Sequence, residues 1–302
     1  MLSLILIILT ALIYPGIIIR TKSIFSGRKG PGIFQPVKDI FVLFHKGSVF
    51  STTTSLIFQI APAITLATII TAALMLPFGT QPAIISFEND FVMFAYILAL
   101  GKFFTIISAL DTGSGFEGMG ANREALYSML VEPAFFLLLA TFASITGYTS
   151  FSDIFAHFEI SNNHYLIIIT LISFYMLLQI AMIENSRLPV DDPKTHLELT
   201  MVHEVMILDN SGFDKALIHI GTMLKFSIYG SLIFNSAIPS NLSLPIRIVI
   251  YILLQVFIAF IMGIWESFRA RNKMPRNTIY IFTLTAIGML AFLLVLVMNN
   301  KF

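Results

Sequence analysis

Blocks of about 20 apolar residues recur along the chain with short polar stretches between them, and a helix of that length crosses a bilayer's hydrocarbon core. Eight such blocks stand at roughly 2–19, 52–76, 91–110, 125–146, 164–183, 216–238, 245–267 and 278–298. Run length decides here without any appeal to periodicity, and the pattern predicts an all-α integral membrane protein of eight transmembrane helices. The first block, "LSLILIILTALIYPGIII", has no basic stretch before it and no small-residue cleavage site after it, so it reads as a retained helix rather than a signal peptide. The polar stretches are too short to form a soluble domain. Residues 1–302 are therefore expected to form a single integral membrane domain without an internal repeat.

Composition agrees: 57% of the 302 residues are hydrophobic and 12% charged, far from the roughly half apolar, quarter charged mix of soluble domains. The formal charge of +1 offers no basic patch for nucleic acid. Without cysteine the chain has no thiolates for an iron-sulfur cluster or a nickel-iron centre, so any redox centre has to sit in a partner. Loops 20–51, 111–124, 184–215 and 269–277 hold fourteen of the eighteen Lys and Arg, while loops 77–90, 147–163 and 239–244 hold none. The positive-inside rule makes the first set cytoplasmic and puts both termini outside.

The stretch "LDTGSGFEGMGANREALYSMLVEP" contains a literal G-x-G-x-x-G at Gly113, Gly115 and Gly118. That spacing cradles a pyrophosphate only between a strand and a helix, and here a membrane helix precedes it, so a tight flexible loop is expected. Arg123 and Glu124 are expected to open the next helix, with Glu132 and Pro133 about 12 Å deeper. A proline there frees a backbone carbonyl, and a carboxyl beside it suggests a kinked, hydrated pocket.

Ionisable residues inside a span cost at least about 2.5 kcal/mol and are functional candidates by default. Lys102 falls about 12 Å into the third span, Lys225 about 14 Å into the sixth, and Glu266 closes the seventh. One such residue alone could be an ion pair between helices, whereas a cluster favours a proton or ion route. The loop Glu184–Lys215 adds seven acids, three bases and two histidines interleaved with apolar residues, which suits a partly buried cluster for proton exchange or docking. Asp192 before Pro193 reads as an N-cap opening a helix to about Leu208 that carries His196, Glu198, His203 and Glu204. His196 and His203 would lie about 10.5 Å apart, too far for one metal ion to bridge. In loop 20–51, "VKDIFVLFHK" can form an amphipathic helix at the interface, suited equally to lipid anchoring and to partner docking.

Together "GRKGPGIFQPVKD", "LDTGSGFEGMGANREALYSMLVEP" and "ENSRLPVDDPKTHLEL" resemble the eight-helix subunit shared by respiratory complex I (NADH-quinone oxidoreductase) and the membrane-bound group 4 nickel-iron hydrogenases, formate hydrogenlyase and hydrogenase-4 among them. The resemblance implies a non-catalytic coupling subunit of an oxidoreductase complex in the inner (plasma) membrane. Its expected partners are an iron-sulfur small subunit and a hydrogenase-like large subunit on the cytoplasmic side, antiporter-like membrane subunits, and lipid. The iron-sulfur clusters, and a nickel-iron centre in the hydrogenase branch, would lie in those partners, and this chain would hold no catalytic, cofactor or metal site.

Carried over by position, the resemblance implies that the Arg-x-Pro-x-Asp element is Arg187, Pro189 and Asp191, preceded by Glu184. Glu198 and the pair Arg123 and Glu132 match further family positions. Where the quinone-reducing branch has two more glutamates, Lys194 and His196 stand here, and Glu204 comes earlier than its nearest counterpart. "THLELTMVHEVMILD" looks like the hydrogenase-4 or formate hydrogenlyase branch. The expected proton path comprises Glu124, Glu132, Glu184, Asp191, Asp192, Glu198, Glu204, Lys102 and Lys225, with Arg123, Arg187, His196 and His203 supporting its charges. A self-contained ion or solute transporter, or a passive membrane anchor for a redox enzyme, are the competing readings.

Overall fold

A computed structural model describes residues 1–158, 164–192, 201–239 and 242–299. Eight of its helices are long and apolar enough to cross a membrane: α1 (Leu2–Phe25), α3 (Leu56–Leu74), α4 (Asp90–Asp111), α5 (Gly115–Thr146), α7 (His164–Glu184), α9 (Gly212–Ala237), α10 (Leu244–Phe268) and α11 (Met274–Met298). Three short helices, α2 (Gln35–Phe44), α6 (Phe151–His157) and α8 (His203–Met206), lie in the connections. The protein is an all-α, multi-pass membrane protein. The links α1–α3, α4–α5, α7–α9 and α10–α11 emerge at one end, called the basic end below, and the links at the other end contain no Lys or Arg.

Burial ranks the spans. The most apolar stretch of α9 is 78% buried and that of α7 67%, against 28% for α4 and α11, so α9 and α7 form the middle of the bundle and α4 and α11 face outward. Small polar residues stitch α9 to its neighbours: Thr10 Oγ1 meets Ser227 Oγ at 2.6 Å, Ser231 Oγ meets Tyr251 Oη at 2.8 Å, and Gln255 Nε2 donates to the Ser227 carbonyl at 3.2 Å. Such bonds suit a medium in which unpaired polar groups find no water. At the far end Asp90 accepts from Ser150 Oγ and the Phe151 amide, fastening α6 to the start of α4.

The glycine-rich stretch departs from expectation. Only Thr112–Ser114 break the chain, and α5 begins at Gly115, so Arg123 and Glu124 lie inside a helix rather than at its start. Tertiary cover explains the extra turns: Glu117 is buried and accepts from the Asp209 amide at 3.2 Å, and Arg123 Nη1 donates to the Met201 carbonyl at 2.9 Å. Residues 201–210 form a roof over this part of α5. Gly120 permits that roof, because a Cβ there would fall 2.8 Å from the Val202 carbonyl oxygen and run into a Val205 methyl.

Gly118 has nothing within 4 Å of its Cβ position. Gly118→Ala should therefore stabilise α5 by about 0.5–1 kcal/mol, while Gly120→Ala should destabilise the protein by about 1–3 kcal/mol through overpacking. Thermal unfolding in detergent checks the pair, and the two variants should move the midpoint in opposite directions.

Candidate functional site

The centre of the charged region is Lys102, on α4 about 13 Å from its basic end. Its ammonium lies 2.9 Å from Glu124 Oε1 on α5 and 2.9 Å from Glu184 Oε2 at the end of α7. All three side chains are nearly buried. One cation thus clamps three helices that sequence distance does not connect. Lys225, on the face of α9 toward this clamp, is in electrostatic reach of Lys102, Glu184 and Glu124.

Glu132 is a fifth charged group, two turns beyond Glu124 on α5. A cavity of about 40 Å³ is lined by Lys102, Ser128, Glu132, Glu184 and Tyr229, space enough for water. Contrary to the expected burial, Glu132 is exposed at the lateral face of the chain, as is Pro133. Pro133 is accommodated within an α5 that runs unbroken to Thr146.

Past Glu184 the chain folds into a pinned turn. The Arg187 amide donates to the Met182 carbonyl at 2.8 Å, closing the end of α7. Arg187 reaches Glu266 at 3.4 Å and lies over the Phe226 ring at 5.3 Å. Lys22 on α1 joins the same group, 3.4 Å from Glu266 and 3.8 Å from Asp192. Asp191 pairs with Arg271 at 2.8 Å and accepts from the amides of Val202 and His203 at 3.3 and 3.0 Å. Asn277 Nδ2 holds the Val190 carbonyl at 3.0 Å and the Asn272 amide the Pro189 carbonyl at 2.9 Å. Arg271 is therefore an anchor of the turn, not merely the orienting charge that its basic loop suggests.

On the other side of α9 a cavity of about 240 Å³ runs between α1, α2 and the turn. Its polar end carries Asn185, Arg187, His203, Glu204, His219 and Asp39. Burial, reinforced by Lys225 and Lys102 and opposed by Glu124, holds His203 down to about 4. Among the described residues no group of three His, Asp or Glu could hold a metal ion.

These features sit in a chain that matches, over residues 1–300, the family described as NADH dehydrogenase. This chain belongs to that family. It is similar to hydrogenase-4 component C of Escherichia coli (strain K12), 30% identical over 283 residues that cover 90% of this chain and 86% of that protein. Similarity to formate hydrogenlyase subunit 4 of the same organism is 34% over 139 residues, 46% of this chain and 45% of that one. The H subunit of NADH-quinone oxidoreductase from Bordetella petrii is 25% identical over 217 residues, 67% of this chain and 59% of that one. A chain of the membrane-bound sulfane sulfur reductase, an archaeal respiratory membrane complex, superposes with a TM-score of 0.81 at 17% identity, covering 97% of both chains, and so shares the fold.

Within this family member the candidate residues sort into three places. Lys102, Glu124, Glu184, Lys225 and Glu132 gather at the clamp; Arg187, Asp191 and Asp192 belong to the turn and its anchors; His203 and Glu204 line the larger cavity. Arg123 braces the roof over α5. His196 and Glu198 lie outside the described residues, as does the start of the helix expected from Pro193. Residues 201 and 202 are not helical, and α8 covers only His203–Met206. Asp191 bonds the Val202 and His203 amides and so caps α8 from a residue distant in sequence. Lys22, Asp39, His219, Arg271 and Asn277 escaped the sequence reading. Only His219, an ionisable residue in a predicted span, carried a local signal.

Lys102→Met leaves Glu124 and Glu184 facing each other without their cation, a loss of about 3–5 kcal/mol, so the yield of folded protein in detergent should fall. Adding Glu124→Gln and Glu184→Gln should restore it. His203 has a folded pKa of about 4 against 6.5 for the free side chain, so between these values the unfolded chain takes up a proton that the folded one refuses. Its contribution to stability is complete above about 6.5 and is lost as pH falls toward about 4. The thermal midpoint of the wild type should drop across that window more steeply than that of His203→Asn.

Proposed function

We propose that this chain is the energy-coupling membrane subunit of a hydrogenase-like or complex-I-like respiratory complex, joining a peripheral electron-transfer module to proton or sodium translocation. The observation that carries the reading is Lys102 held at 2.9 Å from both Glu124 and Glu184, beside a cavity that opens on Glu132. A cation with two carboxylates on separate helices has two alternative partners, so a small helix movement redistributes charge between them. Among the described residues Lys102 pairs with Glu124 and Glu184, which leaves Glu132 as the further carboxyl on the cavity, placed to take up or release a proton. Its exposure on a lateral face at membrane depth suits a neighbouring membrane subunit as the next station, since a carboxyl is not left against lipid without cost.

The peripheral partners are an iron-sulfur small subunit and a hydrogenase-like large subunit. They dock at the basic end, which is cytoplasmic, and they contain the redox centres that a chain without cysteine does not ligate through thiolates. The turn 184–192 and its anchors stand at that end and contact both cavities, so a change at the docked module reaches the clamp through the backbone. Antiporter-like membrane subunits lie beside Glu132 and complete the path.

Glu132→Gln keeps the shape and removes the exchangeable charge. In membrane vesicles that contain the intact complex, the variant should assemble and transfer electrons while ion-gradient formation falls at least tenfold. Full gradient formation would take Glu132 off the path and favour a passive anchor. Loss of assembly in place of pumping would make it a structural residue.

A further inference from the structure

The link between α1 and α3 does not stay at the membrane surface. After Phe25 the chain turns at Gly27, whose φ is +67°, and runs back along α1: Arg20 Nη1 bonds the Gly30 carbonyl at 2.9 Å, and a Cβ on Gly16 would collide with the Ile33 carbonyl oxygen. Ile33 therefore lies opposite a residue about 13 Å back from Phe25 and about 6 Å below Arg20, within the apolar run of α1. From that depth α2 climbs outward, and the carbonyls of Lys46 and Gly47 close over Gly212, the first residue of α9, leaving no room there for a Cβ. Segment 27–47 is a re-entrant hairpin.

Its two faces differ. Ile40 is buried, and Pro36, Ile40 and Leu43 wall the 240 Å³ cavity. Phe34, Phe41 and Val42 point away and are 60%, 62% and 55% exposed, while Phe44, 37% exposed, packs its ring against Phe213. Exposed aromatic and aliphatic side chains along a helix that rises from the depth of Gly16 need hydrocarbon against them. The charges at the rim select the lipid: residues 20–51 hold six bases, Arg20, Lys22, Arg28, Lys29, Lys38 and Lys46, against the single acid Asp39. Arg28, Lys29, Lys38 and Lys46 are exposed.

We propose that this hairpin is a binding surface for anionic phospholipid, with acyl chains packed on the outward face of α2 and phosphates held by Arg28, Lys29, Lys38 and Lys46. A soluble protein partner fits the basic rim but not an aromatic face that descends to the depth of Gly16, so the membrane is the occupant. Lipid binding here does not depend on the coupling role of the clamp.

The test uses the complex purified from its own membrane, stripped of lipid by detergent and titrated with phosphatidylglycerol or phosphatidylcholine. Bound lipid is counted by native mass spectrometry and the thermal midpoint is followed. Phosphatidylglycerol should bind and stabilise at about six-hundredfold lower concentration. Arg28→Gln, Lys29→Gln and Lys46→Gln combined should abolish most of that preference, each base contributing about fivefold. Lys46→Gln alone, expected to cost about fivefold, serves if the triple variant does not assemble. Equal binding of the two lipids by the wild type overturns the proposal. So does an unchanged preference in the variants, or a variant that keeps its lipid and sheds a soluble subunit.

Discussion

An ammonium group in hydrocarbon requires a counter-charge at contact distance, and that requirement organises the basic half of this bundle. Lys102 meets it twice, through Glu124 on α5 and Glu184 on α7. The ion pairs tie α4 to α5 and α7, and Lys225 on α9 lies in electrostatic reach of the same groups. Replacing such a group with well-packed hydrophobes is often neutral or stabilising, so stability alone does not explain why four ionisable residues occupy this site. Two carboxylates sharing one lysine form an arrangement with more than one low-energy distribution of charge, which a chain of purely apolar contacts does not have.

The eight spans were legible in the sequence because transmembrane length is a one-dimensional property: apolar run length against the thickness of hydrocarbon. Lys102, Lys225 and Glu132 were legible for the same reason, each being an ionisable residue set in an apolar run. Their partners were not, since the pairing of Lys102 with Glu184 depends on which helix faces which. The start of α5 shows how local composition misleads. Gly113, Gly115 and Gly118 signal a loop, but the roof of residues 201–210 covers Glu117 and bonds Arg123, and burial outweighs the glycines. Asp191 bonds the amides of Val202 and His203 at the start of α8, a cap supplied across eleven residues that no local signal announces.

Arg271 shows a further limit of the linear reading. Counted among the bases of a short loop it only orients the chain, yet at 2.8 Å from Asp191 it fastens the α10–α11 link to the turn after α7. Asn272 and Asn277 add backbone bonds on the same side, and Lys22 and Glu266 hold the opposite side. The turn is thus suspended between α1, α10 and α11, and each of its anchors is contributed by a residue distant in sequence.

That suspension has a geometric consequence. Glu184 and Arg187 are three residues apart on one stiff turn, and consecutive Cα atoms keep a fixed spacing of about 3.8 Å. Glu184 grips the lysine on one side of α9 while Arg187 grips Glu266 on the other. The same short stretch of backbone therefore supplies Glu184 to the smaller cavity and Asn185 and Arg187 to the larger one, so the two cavities share one wall segment.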